Sequence, residues 1–259
     1  MAVGEAGPHI PEAEQLMAWE HGQCLIRAQN IAVIYNRATS LFRRDPFSAL
    51  KDVSMELYAG ESLGVVGRNG VGKTTLLKVL ADIIRPDRGT VENFGATTAM
   101  LSMQAGFDQF ATGRTNILLS ALLLGYSEDE IKEHINDIID YAELGDFIDQ
   151  PLVGYSAGMR ARLGFSVCYF LEPDVLLIDE ALGAGDIEFR RKSAEAMQAK
   201  IRSDQTVVLV SHEANTIREL CDRAVWIEEG VTRMTGDPAA VVEAYENFVK
   251  VNPRGKPSV

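Results

Sequence analysis

The sequence predicts an α/β fold built on a mainly parallel sheet, with an antiparallel β portion and a helical insert. Three observations carry that expectation. The runs SLGVVG (62–67), DVLLID (174–179), TVVLVSH (206–212) and RAVWIEEG (223–230) are largely apolar without alternation, as strands buried on both faces must be. Helical stretches separate the later runs, and strands alternating with helices imply a parallel sheet covered on both sides. A longer helical texture around residues 106–165 interrupts that alternation.

In chain order, residues 1–23 contain Pro, Gly and Glu without periodicity and read as an N-terminal extension to a domain spanning 24–259. CLIRAQNIAVIY (24–35) reads as a strand or two. The polar and basic NRATSLFRRDPFSA (36–49) follows as a connecting segment. Val53, Met55 and Leu57 alternate with polar residues and predict a half-buried strand. RPDRGTVENFG (85–95) is a turn leading into another short strand. Helix dominates from Thr112 to about Leu144. There Ser127 and Glu130 have capping-box spacing, and Ile131, Ile135, Ile138, Ile139 and Ala142 recur with helical period.

Composition narrows the function. Hydrophobic content of 46% and charged content of 24% are those of a globular chain. No apolar run approaches the roughly 18 residues that cross a bilayer. The N-terminus lacks the basic-then-apolar order of a secretory signal. A net charge of −12 argues against a nucleic-acid partner, and the basic clusters RATSLFRR and EFRRK read as solvated faces. Cys24, Cys168 and Cys221 are widely spaced, form no metal-ligand pattern and read as buried thiols.

GRNGVGKTT, running through Gly67, Arg68, Asn69, Gly70, Val71, Gly72, Lys73, Thr74 and Thr75, matches G-x-x-x-x-G-K-[ST] between a buried strand and a helix. Its glycines let successive N–H groups curl toward phosphate oxygens, and the helix adds its positive end. Lys73 would reach the β- and γ-phosphates of ATP, and Thr74 would ligate Mg²⁺. This is a P-loop NTPase core. Asp179, ending DVLLID, suits the magnesium role, and Glu180 beside it is placed to polarise an attacking water. His212 ends a third buried strand at the same carboxyl edge and is expected at the γ-phosphate. A second element, YSAGM (Tyr155, Ser156, Ala157, Gly158, Met159), has the serine and small residues of an anion-holding helix N-terminus.

Together these motifs resemble the ATPase subunits of ABC transporters, over residues 24 to 249 or so. The resemblance implies a Q-loop at Gln104, contacting nucleotide and magnesium, with Gln109 as a rival, and a D-loop at Asp186. It implies an adenine-stacking aromatic, Tyr35 ahead of Phe42 and Phe47. In that family the signature segment closes on ATP held by a second subunit, so YSAGM would serve a partner's site in a homodimer. The pattern departs from the usual L-S-G-G-Q but keeps the serine and the last glycine.

AGF…TGRTNI, YSAGMRARLGF, DEALGAGDIEFRRK and the tail GDPAAVVEAYENFV look like the subunits that export capsule, O-antigen or teichoic acid. The expectation is an ATPase at the cytoplasmic face of the cytoplasmic membrane. It would be attached to a polytopic permease and would drive outward movement of a lipid-linked polysaccharide. The segment between the first strands resembles that group's elongated loop, a candidate contact for glycan or permease or else an ordinary hairpin. A chain stopping at Val259 would carry no glycan-selecting domain. The competing expectations are an exporter ATPase for drugs or lipids, and an ABC protein of translation or DNA repair.

Overall fold

A computed structural model describes residues 19–40, 43–101, 107–179 and 185–253, with backbone alone at 36–40 and 43–45. Its strands are β1 (Cys24–Ser40), β2 (Arg43–Tyr58), β3 (Ser62–Val66), β4 (Arg88–Asn93), β5 (Thr98–Met100), β6 (Val175–Asp179), β7 (Thr206–Val210), β8 (Arg223–Glu228) and β9 (Val231–Gly236). The helices are α1 (Lys73–Leu80), α2 (Gly113–Leu123), α3 (Glu128–Ala142), α4 (Ala157–Phe170), α5 (Ile187–Ile201), α6 (Ala214–Leu220) and α7 (Pro238–Val251).

The strands form one sheet ordered β4-β1-β2-β9-β8-β3-β7-β6-β5. From β8 to β5 every pairing is parallel. The antiparallel portion is β4-β1-β2, with β9 antiparallel to β8. The two parts join through the parallel pair Asp52↔Val231 and through Gly230, whose carbonyl accepts from the N–H groups of Lys51 (2.8 Å) and Asp52 (3.1 Å).

The apolar runs are explained by two-sided burial. Val175 and Leu177 of β6, Val208 and Val210 of β7, and Val225 and Ile227 of β8 enter one core with α1. Leu176, Ile178, Val207, Leu209, Ala224 and Trp226 face the opposite core with α5, α6 and α7. With both faces covered, no position is left for polar alternation. Helices α2, α3 and α4 surround a third cluster containing Ile117, Ile131, Ile138 and Leu163. The capping box forms: the Ser127 hydroxyl accepts from the Glu130 N–H, and the Glu130 carboxylate accepts from the Ser127 N–H at 2.7 Å. Helix α4 runs to Phe170, and Leu163 to Cys168 within it are all buried, so this stretch shows no amphipathic edge.

Three expectations change. Residues 36–40 and 43–49 belong to the long antiparallel pair β1 and β2, whose register pairs Tyr35↔Phe47, Asn36↔Pro46 and Arg37↔Asp45, and are not a plain connecting segment. The N-terminal extension is docked from Trp19, whose indole N–H donates to Asp174 Oδ1 at 3.0 Å while the ring packs on the core. Of the three cysteines Cys168 is buried, its thiol pushed up to about 12 by desolvation; Cys24 and Cys221 are part-buried, and all three are free thiols.

Candidate functional site

Sheet register brings the chemistry to one edge. Asp179 pairs with Val210, Val210 with Val65, and Val65 with Val225, so these four share a row across β6, β7, β3 and β8. The strands are parallel, so the chain leaves each of them at the same carboxyl edge, where Gly67 succeeds β3 and His212 succeeds β7. Glu180 and Gln104 lie outside the described residues.

The loop between β3 and α1 is held by its own residues. Gly72 caps α1 at φ 103, ψ 11, a left-handed conformation that favours glycine, and a Cβ there would strike the Ala49 carbonyl of β2. Gly67 is pressed on the Ile227 carbonyl of β8, again leaving no room for a Cβ. Lys73 is buried and folds back over the loop, its ammonium donating to the carbonyls of Gly67 (2.9 Å) and Arg68 (3.1 Å). The result is a cationic cradle at a helix N-terminus.

A cavity of about 630 Å³ opens on this cradle. Asn69, Gly70, Gly72, Lys73, Thr74 and Thr75 line one side, His212 another, and Tyr35 with Phe47 a third. The two aromatics are a cross-strand pair and both are about one-third exposed, at 36% and 37%. Tyr35 therefore shares its position with Phe47, and Phe42 lies outside the described residues. Thr74 is exposed beside the cradle. Asp179 Oδ1 is buried and, among the described residues, accepts no hydrogen bond. An orphaned carboxylate oxygen at a phosphate-binding edge fits a divalent cation, which would supply the missing partner.

Not every loop residue faces the cavity. Val71 is buried in the core, and Gly67 contributes backbone only. Arg68 belongs to the loop expected to bind nucleotide through its N–H groups, and its side chain turns away from the cavity. Its guanidinium donates to the Asn252 carbonyl and lies over the Phe248 ring at 5.1 Å, both on the far side of the loop. Only long-range packing reveals this.

The second anion-holding element sits elsewhere. Ser156 caps α4, its hydroxyl accepting from the Met159 N–H at 3.1 Å, and its side chain is exposed. Ser156, Gly158 and Met159 share a depression of about 600 Å³ with Arg162 and Asp186. Tyr155 points inward: it is buried, and its hydroxyl donates to the Phe147 carbonyl at 2.6 Å, so it anchors the segment and offers no side-chain contact to a ligand. Asp186 caps α5 and pairs with Arg162 of α4. The Phe189 N–H that it accepts, followed by the Arg162 guanidinium, holds its carboxyl below the usual range. Arg162 and Lys192 both reach Glu143 at the end of α3, which accounts for part of the EFRRK cluster. The depression at Ser156 and the cavity at Lys73 have no lining residue in common.

A family model described as "ABC transporter" matches residues 50–183. The chain is 40% identical over 210 residues to the O-antigen export system ATP-binding protein RfbB of Klebsiella pneumoniae, covering 81% of this chain and 85% of that protein. It is 42% identical over 203 residues to the ABC transporter protein AbcA of Aeromonas salmonicida, covering 78% of this chain and 66% of that one. It is 41% identical over 220 residues to the teichoic acids export ATP-binding protein TagH of Lactococcus lactis, covering 83% of this chain and 47% of that one. Among solved structures, it resembles the ATP binding subunit of an ABC transporter (TM-score 0.67, 19% identity, 88% of this chain and 98% of that one). It also resembles the ATP-binding cassette MJ0796 in a dimeric state bound to ADP and Pi (TM-score 0.64, 20% identity, 83% and 99%). At those identities the likeness is one of fold.

Proposed function

The chain belongs to the ABC transporter family, and on that footing we propose that it is the ATP-hydrolysing subunit of an exporter for a lipid-linked polysaccharide such as O-antigen or teichoic acid. The observation that carries the ATPase reading is the pair of separate anion-holding elements, a complete phosphate cradle at Lys73 and an unattached one at Ser156. The choice of glycan rests on the relatives, two of which are named for O-antigen and teichoic acid export.

In this reading ATP lies with its phosphates on the N–H groups of Gly70 to Thr75, its γ-phosphate toward His212 and its base against Tyr35 or Phe47. Thr74 and Asp179 would hold Mg²⁺, with Gln104 as a further ligand; the ion supplies neutralisation of charge on the β- and γ-phosphates. Lys73 exchanges its two loop carbonyls for phosphate oxygens, and Glu180 accepts the proton of the attacking water. The segment at Ser156 of a second copy closes over the γ-phosphate, so that ATP joins the two chains and hydrolysis parts them. No helix among the described residues is long and apolar enough to cross a membrane. In this reading the chain works at the cytoplasmic face of the membrane through a separate polytopic permease, and the export systems for which its relatives are named support a membrane partner.

Glu180→Gln tests the chemistry. It removes the base and keeps the shape, so turnover should fall by about 100-fold or more while MgATP still drives dimerisation. A tagged Glu180→Gln chain should also bring down a stoichiometric polytopic protein from detergent-solubilised membranes. Wild-type turnover in this variant would remove the base assignment, and recovery of soluble partners alone would remove the exporter.

A further inference from the structure

Arg68 is the second residue of the phosphate loop, yet its side chain leaves the loop and ends at the last turn of α7. There it meets three groups. The Asn252 carbonyl at the α7 C-cap accepts its hydrogen bond. The Phe248 ring lies under its guanidinium at 5.1 Å. Glu228 Oε1, at the end of β8, sits 3.9 Å away. Arg68 is 14% and Glu228 3% exposed while Asn252 lies at the exposed rim, and Glu228 Oε2 has no hydrogen-bond partner among the described residues. A guanidinium at a helix C-terminus also meets the negative end of the helix dipole.

Both ends of this contact are anchored. Phe248 packs tilted against the Trp226 ring of β8 with centroids 5.1 Å apart, and Glu246 of α7 accepts from Arg218 of α6 at 2.8 Å. On the loop side, the Arg68 and Gly67 carbonyls both accept from the Lys73 ammonium. A continuous path therefore runs from α7 through Arg68 to the lysine of the cradle. The loop is rich in glycine and loses much conformational freedom when fixed, so an external anchor on its first turn lowers the cost of presenting its N–H groups.

We infer that Arg68 is a positioning residue for nucleotide binding, which uses α7 to hold the phosphate loop in its binding shape. The inference rests on the reading of that loop as the ATP site. Removing the anchor leaves every phosphate-contacting group present but less ordered, so affinity suffers more than the chemical step.

The test uses the full chain with Arg68→Ala, Arg68→Lys, Phe248→Leu and the Arg68→Ala/Phe248→Leu double variant. Binding is followed with MgATP carrying a fluorescent ribose label, and steady-state turnover with unlabelled MgATP. Losing a hydrogen bond to a charged group corresponds to roughly tenfold in Kd and KM, with kcat within about threefold. Arg68→Lys should recover most of that loss. Phe248→Leu, which keeps bulk and lies far from the loop in sequence, should weaken binding in the same direction, and the double variant should be no worse than Arg68→Ala. A Kd for Arg68→Ala within about twofold of wild type, with only a lower melting temperature, would overturn the inference. So would independent, additive losses from Arg68→Ala and Phe248→Leu. Failure of the wild-type chain to bind labelled MgATP would instead overturn the ATP reading itself, and the inference with it.

Discussion

Lys73→Ala should reduce ATP turnover by at least about 100-fold, the scale on which single charge-stabilising donors at a reaction centre act. The lysine has two tasks. It ties the Gly67 and Arg68 carbonyls together across the loop, and in the proposed function it would bring positive charge to the β- and γ-phosphates. Alanine leaves two carbonyls without that donor and the phosphates without that charge. The fold should survive, since an unsatisfied group costs about 1–3 kcal/mol against a total stability of about 5–15 kcal/mol. Steady-state hydrolysis and a melting curve check both halves. Near wild-type hydrolysis by a folded Lys73→Ala chain would place the reaction outside this cavity.

Ser156→Arg should be as damaging to hydrolysis and yet leave MgATP binding to the isolated chain unchanged. The cavity at Lys73 contains no residue of the Ser156 segment, so one chain has no means of feeling the change at its own site. The substitution removes the cap on the Met159 N–H and puts a cation at the positive end of α4, together about 1–2 kcal/mol of stability. In a second copy the bulky guanidinium would occupy the approach to the γ-phosphate. Equilibrium binding to monomer and hydrolysis at high chain concentration separate the two effects. A loss of monomer affinity would mean that the segment serves its own loop.

The phosphate cradle was legible because its chemistry needs particular residues at fixed spacing. Gly72 must adopt φ 103 against the Ala49 carbonyl, and Lys73 must open the helix beyond it. The parallel sheet was legible because two-sided burial leaves a strand no polar positions, as in β6, β7 and β8. The hairpin was not legible beyond one of two alternatives, because its pairing is carried by backbone, which leaves no apolar alternation in NRATSLFRRDPFSA. Nor was the turn of Arg68 toward α7. Inside the motif it looks like any loop residue, and its partners Glu228, Phe248 and Asn252 lie far along the chain. The inward turn of Tyr155 was equally hidden: a residue beside an anion-holding serine can be conscripted by the core, here through the Phe147 carbonyl.

The separation of the Lys73 cavity from the Ser156 depression also has a genetic meaning. In the head-to-tail pair proposed above, each reaction centre would take its cradle from one chain and its lid from the other. A Lys73→Ala chain still offers a sound lid, and a Ser156→Arg chain still offers a sound cradle. Mixed, the two inactive chains should complement each other, because the hybrid pair contains one intact centre and one carrying both defects. Random pairing makes half the pairs hybrid, so recovered hydrolysis should approach about a quarter of the wild-type level. Two lesions in a single self-contained centre would show no such rescue.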